Sequence, residues 1–131
     1  MTATRTQQGF DLETSYLVLA DGPAAKRIDV GLDFWQTIDQ RDDLAGRLVG
    51  VFRYDADWKS WEMHPDGDEI VVLLSGAVDL VLDLPGGPRT VELRDRGAAV
   101  VPGGVWHTAN VLGPSEALHI TRGAGTTHRP R

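Results

Sequence analysis

The chain has 131 residues, with 13 Lys and Arg, 19 Asp and Glu, 4 His and no Cys, and its formal net charge is −6. This length suits one domain, so a single domain over residues 1–131 is predicted. The absence of Cys excludes disulfides, thiolate zinc sites and a cysteine nucleophile. The negative charge argues against a nucleic-acid partner, because a phosphate backbone is bound by clustered Lys and Arg. No apolar run approaches the roughly 20 residues of a membrane span, so no membrane partner and a soluble, cytoplasmic protein are expected.

Short apolar stretches rich in β-branched residues alternate with Gly and Pro turns along the whole chain. The predicted strands are Tyr16–Ala20, Lys26–Val30, Arg47–Tyr54, Ser60–His64, Glu69–Ser75, Ala77–Asp83, Arg89–Leu93, Ala98–Val101, Trp106–Val111 and Ala117–Arg122. Strands of this length between turn signals predict an all-β, antiparallel sandwich or barrel. A parallel sheet is excluded because its helical crossovers would not fit between these strands.

Only one helix is predicted, from Phe34 to about Leu44, with Asp33 as its N-terminal cap. We expect the core of the domain to span about residues 46–122. Residues 1–45 would form an N-terminal extension and residues 123–131 a Gly-rich tail. Residues 1–14 and 123–131 are expected to be mobile unless a partner subunit holds them in place.

Polar residues gather around the turn Pro65–Asp68, which is predicted to join two strands as a hairpin. His64 and Glu69 would then be cross-strand neighbours, with Cβ atoms about 4.5–5.5 Å apart. Because side chains alternate along a strand, Glu62 shares the face of His64, and Trp61 points to the opposite face. Three side chains able to bind a metal therefore converge.

A second polar cluster follows the buried strand Ala98–Val101, where a turn at Pro102–Gly104 precedes His107. Two imidazoles and a carboxylate with open coordination positions form the ligand set of non-haem Fe(II) sites, and Zn, Mn and Ni also accept such ligands. The sequence therefore predicts one divalent metal ion, either Fe, Mn, Ni or Zn. The predicted metal ligands are Glu62, His64, Glu69 and His107.

Both clusters resemble the two motifs of the cupin superfamily. In the first motif, the pattern His64-x4-Glu69-x6-Gly76 matches the second half of the family pattern, and Glu62 stands where the family has its first His. In the second motif, Pro102-x-Gly104-x2-His107 matches the family pattern.

The resemblance implies a small antiparallel double-stranded β-helix, or jelly-roll barrel, with a divalent metal at its mouth and often a homodimeric assembly. It also implies a small oxygen-rich organic ligand and permits isomerase, decarboxylase or dioxygenase chemistry. Glu62 would then be a metal ligand, or the catalytic base if it lies outside the coordination sphere. A non-catalytic small-molecule-binding barrel and a structural barrel with a degenerate site are the alternatives.

Simpler interpretations of the same residues are open. His64 and His107 could be a hydrogen-bonded pair in a vestigial site, with Arg53 or Arg47 balancing the carboxylates in place of a metal. His119, beside two apolar residues on a late strand, is expected to be a buried histidine with satisfied hydrogen bonds.

The remaining aromatic and imidazole side chains are expected outside the site. His128 lies in the tail and is expected to face solvent. Trp61 and Trp106 each precede a predicted ligand, so alternation directs both away from the metal. Trp35 is expected either in ordinary packing or as a cap over the barrel mouth.

Overall fold

The structure is a computed structural model, and it describes residues 9–20, 22–37 and 45–131. The elements are, in chain order, β1 (Ser15–Leu19), β2 (Ala25–Asp29), α1 (Phe34–Thr37), β3 (Arg47–Tyr54), β4 (Ser60–Met63), β5 (Glu69–Ser75), β6 (Val78–Leu84), β7 (Gly87–Leu93), β8 (Ala98–Val101), β9 (His107–Val111), β10 (Ser115–Thr121) and β11 (Thr127–Pro130). Every strand predicted from the sequence is present, with bounds that differ by no more than two residues.

The strands form two antiparallel sheets. One is six-stranded, in the order β2-β1-β3-β10-β5-β8, and the other is five-stranded, in the order β11-β4-β9-β6-β7. From β3 onward the chain changes sheet at almost every connection, and the pair β6 and β7 stays in one sheet as a hairpin. This pattern is a jelly-roll barrel, so the predicted all-β fold is confirmed.

Strand alternation builds the core between the two sheets. Along β5, Glu69, Val71 and Leu73 are buried, whereas the residues between them are only partly so. The apolar members of this face pack against inward residues of the opposite sheet such as Leu80 and Leu82. Each such aliphatic side chain stabilises the fold by about 1.5–3 kcal/mol relative to exposure. Glu69 therefore stands at the end of an otherwise apolar row.

A second cluster of buried residues forms around the N-terminal strands. Tyr16, Val18 and Ile28 pack with Leu48 and with Phe34 of the helix. The helix prediction is confirmed over Phe34–Thr37, and its remainder to Leu44 lies outside the described residues. In the described part of the chain no helix is long and apolar enough to cross a membrane.

The hairpin predicted at Pro65–Asp68 is wrong. The strand β4 before this turn belongs to the five-stranded sheet and β5 after it to the six-stranded sheet, so the loop crosses between sheets. Glu69 pairs with Val101, and His64 is not its cross-strand neighbour. Turn residues indicate a sharp reversal of the chain, but they do not specify which sheet receives the next strand.

The mobile tail predicted over 123–131 is also wrong in part, because Thr127–Pro130 forms β11 and pairs with β4. The guanidinium of Arg129 lies 4.6 Å from the centroid of the Trp106 ring and 5.3 Å from that of Trp61. It also forms a 2.7 Å ion pair with Asp83. Both tryptophans thus pack against the tail, away from the barrel interior as predicted.

Candidate metal centre

The four side chains predicted to bind metal come together inside the barrel, from β4, the loop after it, β5 and β9. Glu69 lies at the centre, with Oε1 3.1 Å from His107 Nε2 and Oε2 3.5 Å from His64 Nε2. Glu62 Oε2 lies 3.9 Å from His64 Nε2 and 4.0 Å from His107 Nε2. His107, Glu69 and His64 are buried, whereas the Glu62 side chain is 29% exposed. The two carboxylates therefore flank the same two imidazoles, one from within and one from the rim.

The protonation of the His107 ring follows from its backbone contact. His107 Nδ1 lies 3.1 Å from the carbonyl oxygen of Val105, and a carbonyl can only accept, so Nδ1 carries the hydrogen. In the neutral ring Nε2 then bears a lone pair. This atom is buried, lies 3.1 Å from Glu69 Oε1 and has no hydrogen-bond partner when it carries no hydrogen. In the neutral ring, His107 thus presents the lone pair of Nε2 to the cluster.

A threonine from the tail orients His64 in the same way. His64 Nδ1 lies 2.8 Å from Thr126 Oγ1, and the Thr126 hydroxyl donates to the Gly123 carbonyl at 2.7 Å. The single hydroxyl hydrogen is therefore committed, so His64 Nδ1 must be the donor to Thr126. His64 Nε2 is left with its lone pair, buried and without a partner.

Glu69 is held by a chain of two further side chains. A carboxylate only accepts, so His119 Nδ1 donates to Glu69 Oε2 at 3.3 Å. The Tyr54 hydroxyl then donates to His119 Nε2 at 2.9 Å. Both nitrogens of His119 have partners, as predicted for a satisfied barrel histidine. This chain fixes the carboxylate and leaves Glu69 Oε1 as a third buried atom without a hydrogen-bond partner.

The electrostatics of the cluster favour a positive charge beside Glu69. Burial by itself raises the pKa of Glu69, but the contacts with His107, His119 and His64 hold that pKa well below its usual range. For His107, burial has the opposite effect and by itself lowers the pKa. The contact with Glu69 outweighs the effect of burial, so the pKa of His107 is raised. A bound proton or a divalent cation would supply this charge. The donor set of two imidazole nitrogens and carboxylate oxygens fits Fe, Mn, Ni or Zn.

Arginines do not balance these carboxylates in the described structure. Arg53 pairs with Glu13 at 2.7 Å and with Glu116 at 3.1 Å. Arg47 is exposed, and no arginine lines the cavity beside the cluster among the residues described. The alternative in which an arginine replaces the metal is therefore not supported.

Glu62 has a different setting from Glu69. It is paired in register with His107 on β9 and with His128 on β11. Its Oε1 accepts from His128 Nε2 at 3.2 Å, while its Oε2 faces the two imidazoles. The His128 side chain is 55% exposed, as expected for a tail residue, but its contact with Glu62 was not predicted. The pairing of β4 with β11 is long-range, and no local pattern signals it.

A cavity of about 710 Å³ opens beside the cluster. Its polar end is formed by Glu62, His64, Glu69 and His119, and its aromatic wall by Tyr16, Trp35, Phe52, Tyr54 and Trp58. The ring of Tyr16 packs over Gly50 on the neighbouring strand β3, where an added Cβ would lie 2.6 Å from the tyrosine ring. Trp35 lies at this cavity, which agrees with the second of the two places expected for it, the barrel mouth. The other members of the wall have no distinguishing signal in the sequence, because aromatic residues on strands are equally typical of ordinary core.

Comparisons with known proteins give a fold and no closer relationship. No protein-family model matches the sequence, and no curated protein is significantly similar to it. Among solved structures, oxalate oxidase is similar with a TM-score of 0.54 and 15% identity over 63% of this chain and 45% of that chain. The Fe(II) form of HppE in complex with substrate has a TM-score of 0.50 and 15% identity over 57% of this chain and 42% of that chain. A cupin superfamily protein from Desulfitobacterium hafniense has a TM-score of 0.49 and 20% identity, covering 57% of this chain and 65% of that chain.

The matched region thus spans between 42 and 65% of the length of these three structures. At 15–20% identity the likeness concerns the fold alone. The two-sheet topology and the likeness to oxalate oxidase together confirm the jelly-roll fold that the resemblance implied. This protein has the fold of the cupin superfamily.

Proposed function

We propose that the protein is a divalent-metal-dependent cupin that acts on a small oxygen-rich organic molecule in the cavity beside Glu62. The observation that carries the proposal is the convergence of three buried atoms without hydrogen-bond partners, His64 Nε2, His107 Nε2 and Glu69 Oε1. Buried polar atoms without partners are costly, and a metal ion accounts for all three at once.

His64, His107 and Glu69 would hold the metal. Their orientations support this role, because contacts at the far side of each ring leave both Nε2 lone pairs directed at the cluster. Partners of this kind fix the ring tautomer of metal-binding histidines in general. When bound, the metal would supply Lewis-acid polarisation of a ligand oxygen.

Glu62 has two roles open to it in this proposal, a fourth metal ligand or the catalytic base. Its partial exposure, its position at the cavity and its distance of about 4 Å from both imidazoles suit either role. As a base, it would take a proton at Oε2 from a carbon or hydroxyl group of the bound molecule. Isomerisation, decarboxylation and dioxygenation are the reaction classes that this fold supports, and the residues alone do not select one.

A non-catalytic binding barrel is the second candidate function. Its support is Glu62 itself, which replaces the first His of the family motif and so alters the ligand set. In that case the same metal would orient a bound molecule without turnover.

The metal content of the protein tests the proposal. Protein purified without chelators or a nickel column is analysed by mass spectrometry of its metals and then titrated separately with Mn, Fe, Co, Ni and Zn. We expect one equivalent of a divalent metal, and its loss in both His64→Ala and His107→Ala with circular dichroism unchanged. Absence of stoichiometric uptake of any of these metals by the folded protein would overturn the proposal.

Turnover distinguishes the two candidate functions. The loaded protein is incubated with hydroxy acids, sugars and catechols, and product formation is followed by chromatography alongside thermal stabilisation. Stabilisation with product supports an enzyme, whereas stabilisation without product from any compound supports the binding barrel. A homodimer, which the resemblance implies, stays a prediction that light scattering on the purified protein can check.

A further inference from the structure

Apart from the Tyr54 hydroxyl, which contacts His119, the aromatic wall of the cavity makes no described hydrogen bond to the metal centre, and it identifies a class of ligand. It runs without a break from the mouth to the cluster. Trp35 is 52% exposed at the mouth, and its ring centroid lies 5.8 Å from that of Phe52. Phe52 lies 5.1 Å from the His119 ring, and Trp58 lies 6.1 Å from the His107 ring. A molecule that reaches the polar end therefore lies along these rings.

Few polar groups of the cavity remain free to recognise a hydroxyl-rich ligand. The Tyr54 hydroxyl is engaged with His119, and the Thr126 hydroxyl with Gly123 and His64. Among the described lining residues there is no Arg, Asp, Asn or Gln, and the lining includes one Lys, Lys59. Trp58 Nε1 and Thr121 Oγ1, which also line the cavity, are buried without a hydrogen-bond partner. A sugar presents hydroxyls on every edge, and a phosphate group is generally bound by Arg or by several N–H donors. One Lys, one indole N–H and one threonine hydroxyl are fewer groups than either class would use along its whole length, and they lie among aromatic rings.

Planar aromatic molecules do match this lining. Aromatic rings attract one another in stacked and edge-to-face arrangements, with centroids about 4.5–7 Å apart, which is the spacing found within the wall. The volume of about 710 Å³ lies within the range of sites for molecules of several rings. The carboxylates and imidazoles are confined to one end, so polar substituents of the ligand would be confined to one end as well.

We propose that the cavity binds a planar aromatic molecule of two or three rings, whose hydroxyl or carboxylate oxygens face the polar end and whose rings lie along the aromatic wall. The placement of the oxygens rests on the proposed metal centre. The placement of the rings rests on the wall alone, so the two parts can fail separately.

Calorimetric titration with matched ligands tests the inference. The probe is 3-hydroxy-2-naphthoate, and its control is 2-hydroxycyclohexanecarboxylate, which carries the same oxygens on a ring that is neither aromatic nor flat. D-glucose and citrate represent hydroxyl-rich and polyanionic ligands. Each is titrated into metal-free protein and into Zn²⁺-loaded protein, because Zn²⁺ has no redox chemistry and reports binding alone.

We expect the naphthoate to bind both forms, more tightly with Zn²⁺, and to bind at least about tenfold more tightly than the cyclohexane control. Equal or tighter binding of the control, glucose or citrate would overturn the inference, as would no naphthoate binding to protein that holds its metal. Failure to take up Zn²⁺ contradicts the proposed function instead. Naphthoate binding to the metal-free protein would still support the proposed binding of the ligand's rings along the aromatic wall.

Two variants of the wall locate the binding site. Trp35→Leu and Phe52→Leu should each weaken naphthoate binding about tenfold while leaving the affinity for the cyclohexane control unchanged. Trp35 is half exposed, so its variant is expected to fold even if Phe52→Leu does not. Phe10→Leu is the matched control, because Phe10 packs against Arg27 outside the cavity lining. Unchanged naphthoate affinity in Trp35→Leu, or an equal loss in Phe10→Leu, would contradict this assignment.

Discussion

Glu69 and Glu62 lie on opposite sides of the same two imidazoles, yet they differ in burial and in the side chains that hold them. Glu69 is 3% exposed and is fixed by His119, whose own ring is fixed by the Tyr54 hydroxyl. Glu62 is 29% exposed at the cavity and contacts His128, itself half exposed in the tail strand. A buried carboxylate with a fixed rotamer suits permanent metal binding, whereas one at the rim is able to meet a substrate. The following experiments test this difference.

The largest effect is expected for Glu69→Gln. The amide keeps the shape of the side chain but removes the charge beside His107 and His64, so metal affinity should fall at least about 100-fold. Isothermal titration with Zn²⁺ measures the loss. Glu116→Gln is the control, since Glu116 pairs with Arg53 away from the cavity. Full metal binding by Glu69→Gln would show that Glu69 is not a ligand.

A smaller effect on metal affinity is expected for Glu62→Gln. If Glu62 serves at the rim as a base, Glu62→Gln should retain the metal and lose turnover, and Glu62→His should bind the metal about tenfold more tightly because it adds an imidazole. Metal titration and product assays are made on both variants. Equal loss of metal in Glu62→Gln and Glu69→Gln would abolish the distinction between the two carboxylates.

The partners of the two carboxylates sharpen the comparison. Tyr54→Phe removes the hydroxyl that fixes His119, so metal affinity should fall about tenfold. His128→Ala removes the partner of Glu62 and should change metal affinity less than Tyr54→Phe does. Zn²⁺ titration of the two variants side by side measures the difference. The reverse order of effects would mean that the rim, rather than the buried side, determines metal binding.

Variants of Thr126 test whether the C-terminal tail contributes to metal binding. Thr126→Val removes the acceptor for His64 Nδ1 and should weaken metal binding about tenfold, since the ring is then free to rotate or change tautomer. Thr126→Ser keeps the hydroxyl and should restore the affinity. Loss of binding in both variants would indicate a role in packing instead of the hydrogen bond.

The smallest expected effect is on the pH dependence of stability in the metal-free protein. The lowered pKa of Glu69 stabilises the fold above its unfolded pKa of about 4.3, and this contribution is lost as the pH falls through the folded pKa. The raised pKa of His107 stabilises the fold below about 6.5, and this contribution is lost as the pH rises through the folded pKa. The free energy of unfolding, measured with urea in the presence of EDTA, should therefore receive its largest contribution from these two groups between roughly pH 4.3 and 6.5. The contribution should be smaller at lower and at higher pH. With excess Zn²⁺ the alkaline loss should disappear, because the metal replaces the proton on His107.

The amino-acid sequence by itself determined the strands, the fold class and the identity of four polar residues that meet. The alternating direction of side chains along a strand, which buries Glu69, Val71 and Leu73, is a local property, and so is the spacing from His64 to Glu69. This spacing predicts correctly that His64 and Glu69 lie near each other, although the hairpin expected to join them does not exist.

Only the tertiary structure decided how the centre is held. The sheet that receives β5, the pairing of the tail with β4 and the chain from Tyr54 through His119 to Glu69 all join residues far apart in sequence. A hydroxyl, an imidazole or an aromatic ring has the same local pattern whether it lies in the core or at a site. Its role is set by what the folded chain places opposite it, and a single hydrogen bond at one nitrogen of a ring then determines what the other nitrogen can bind.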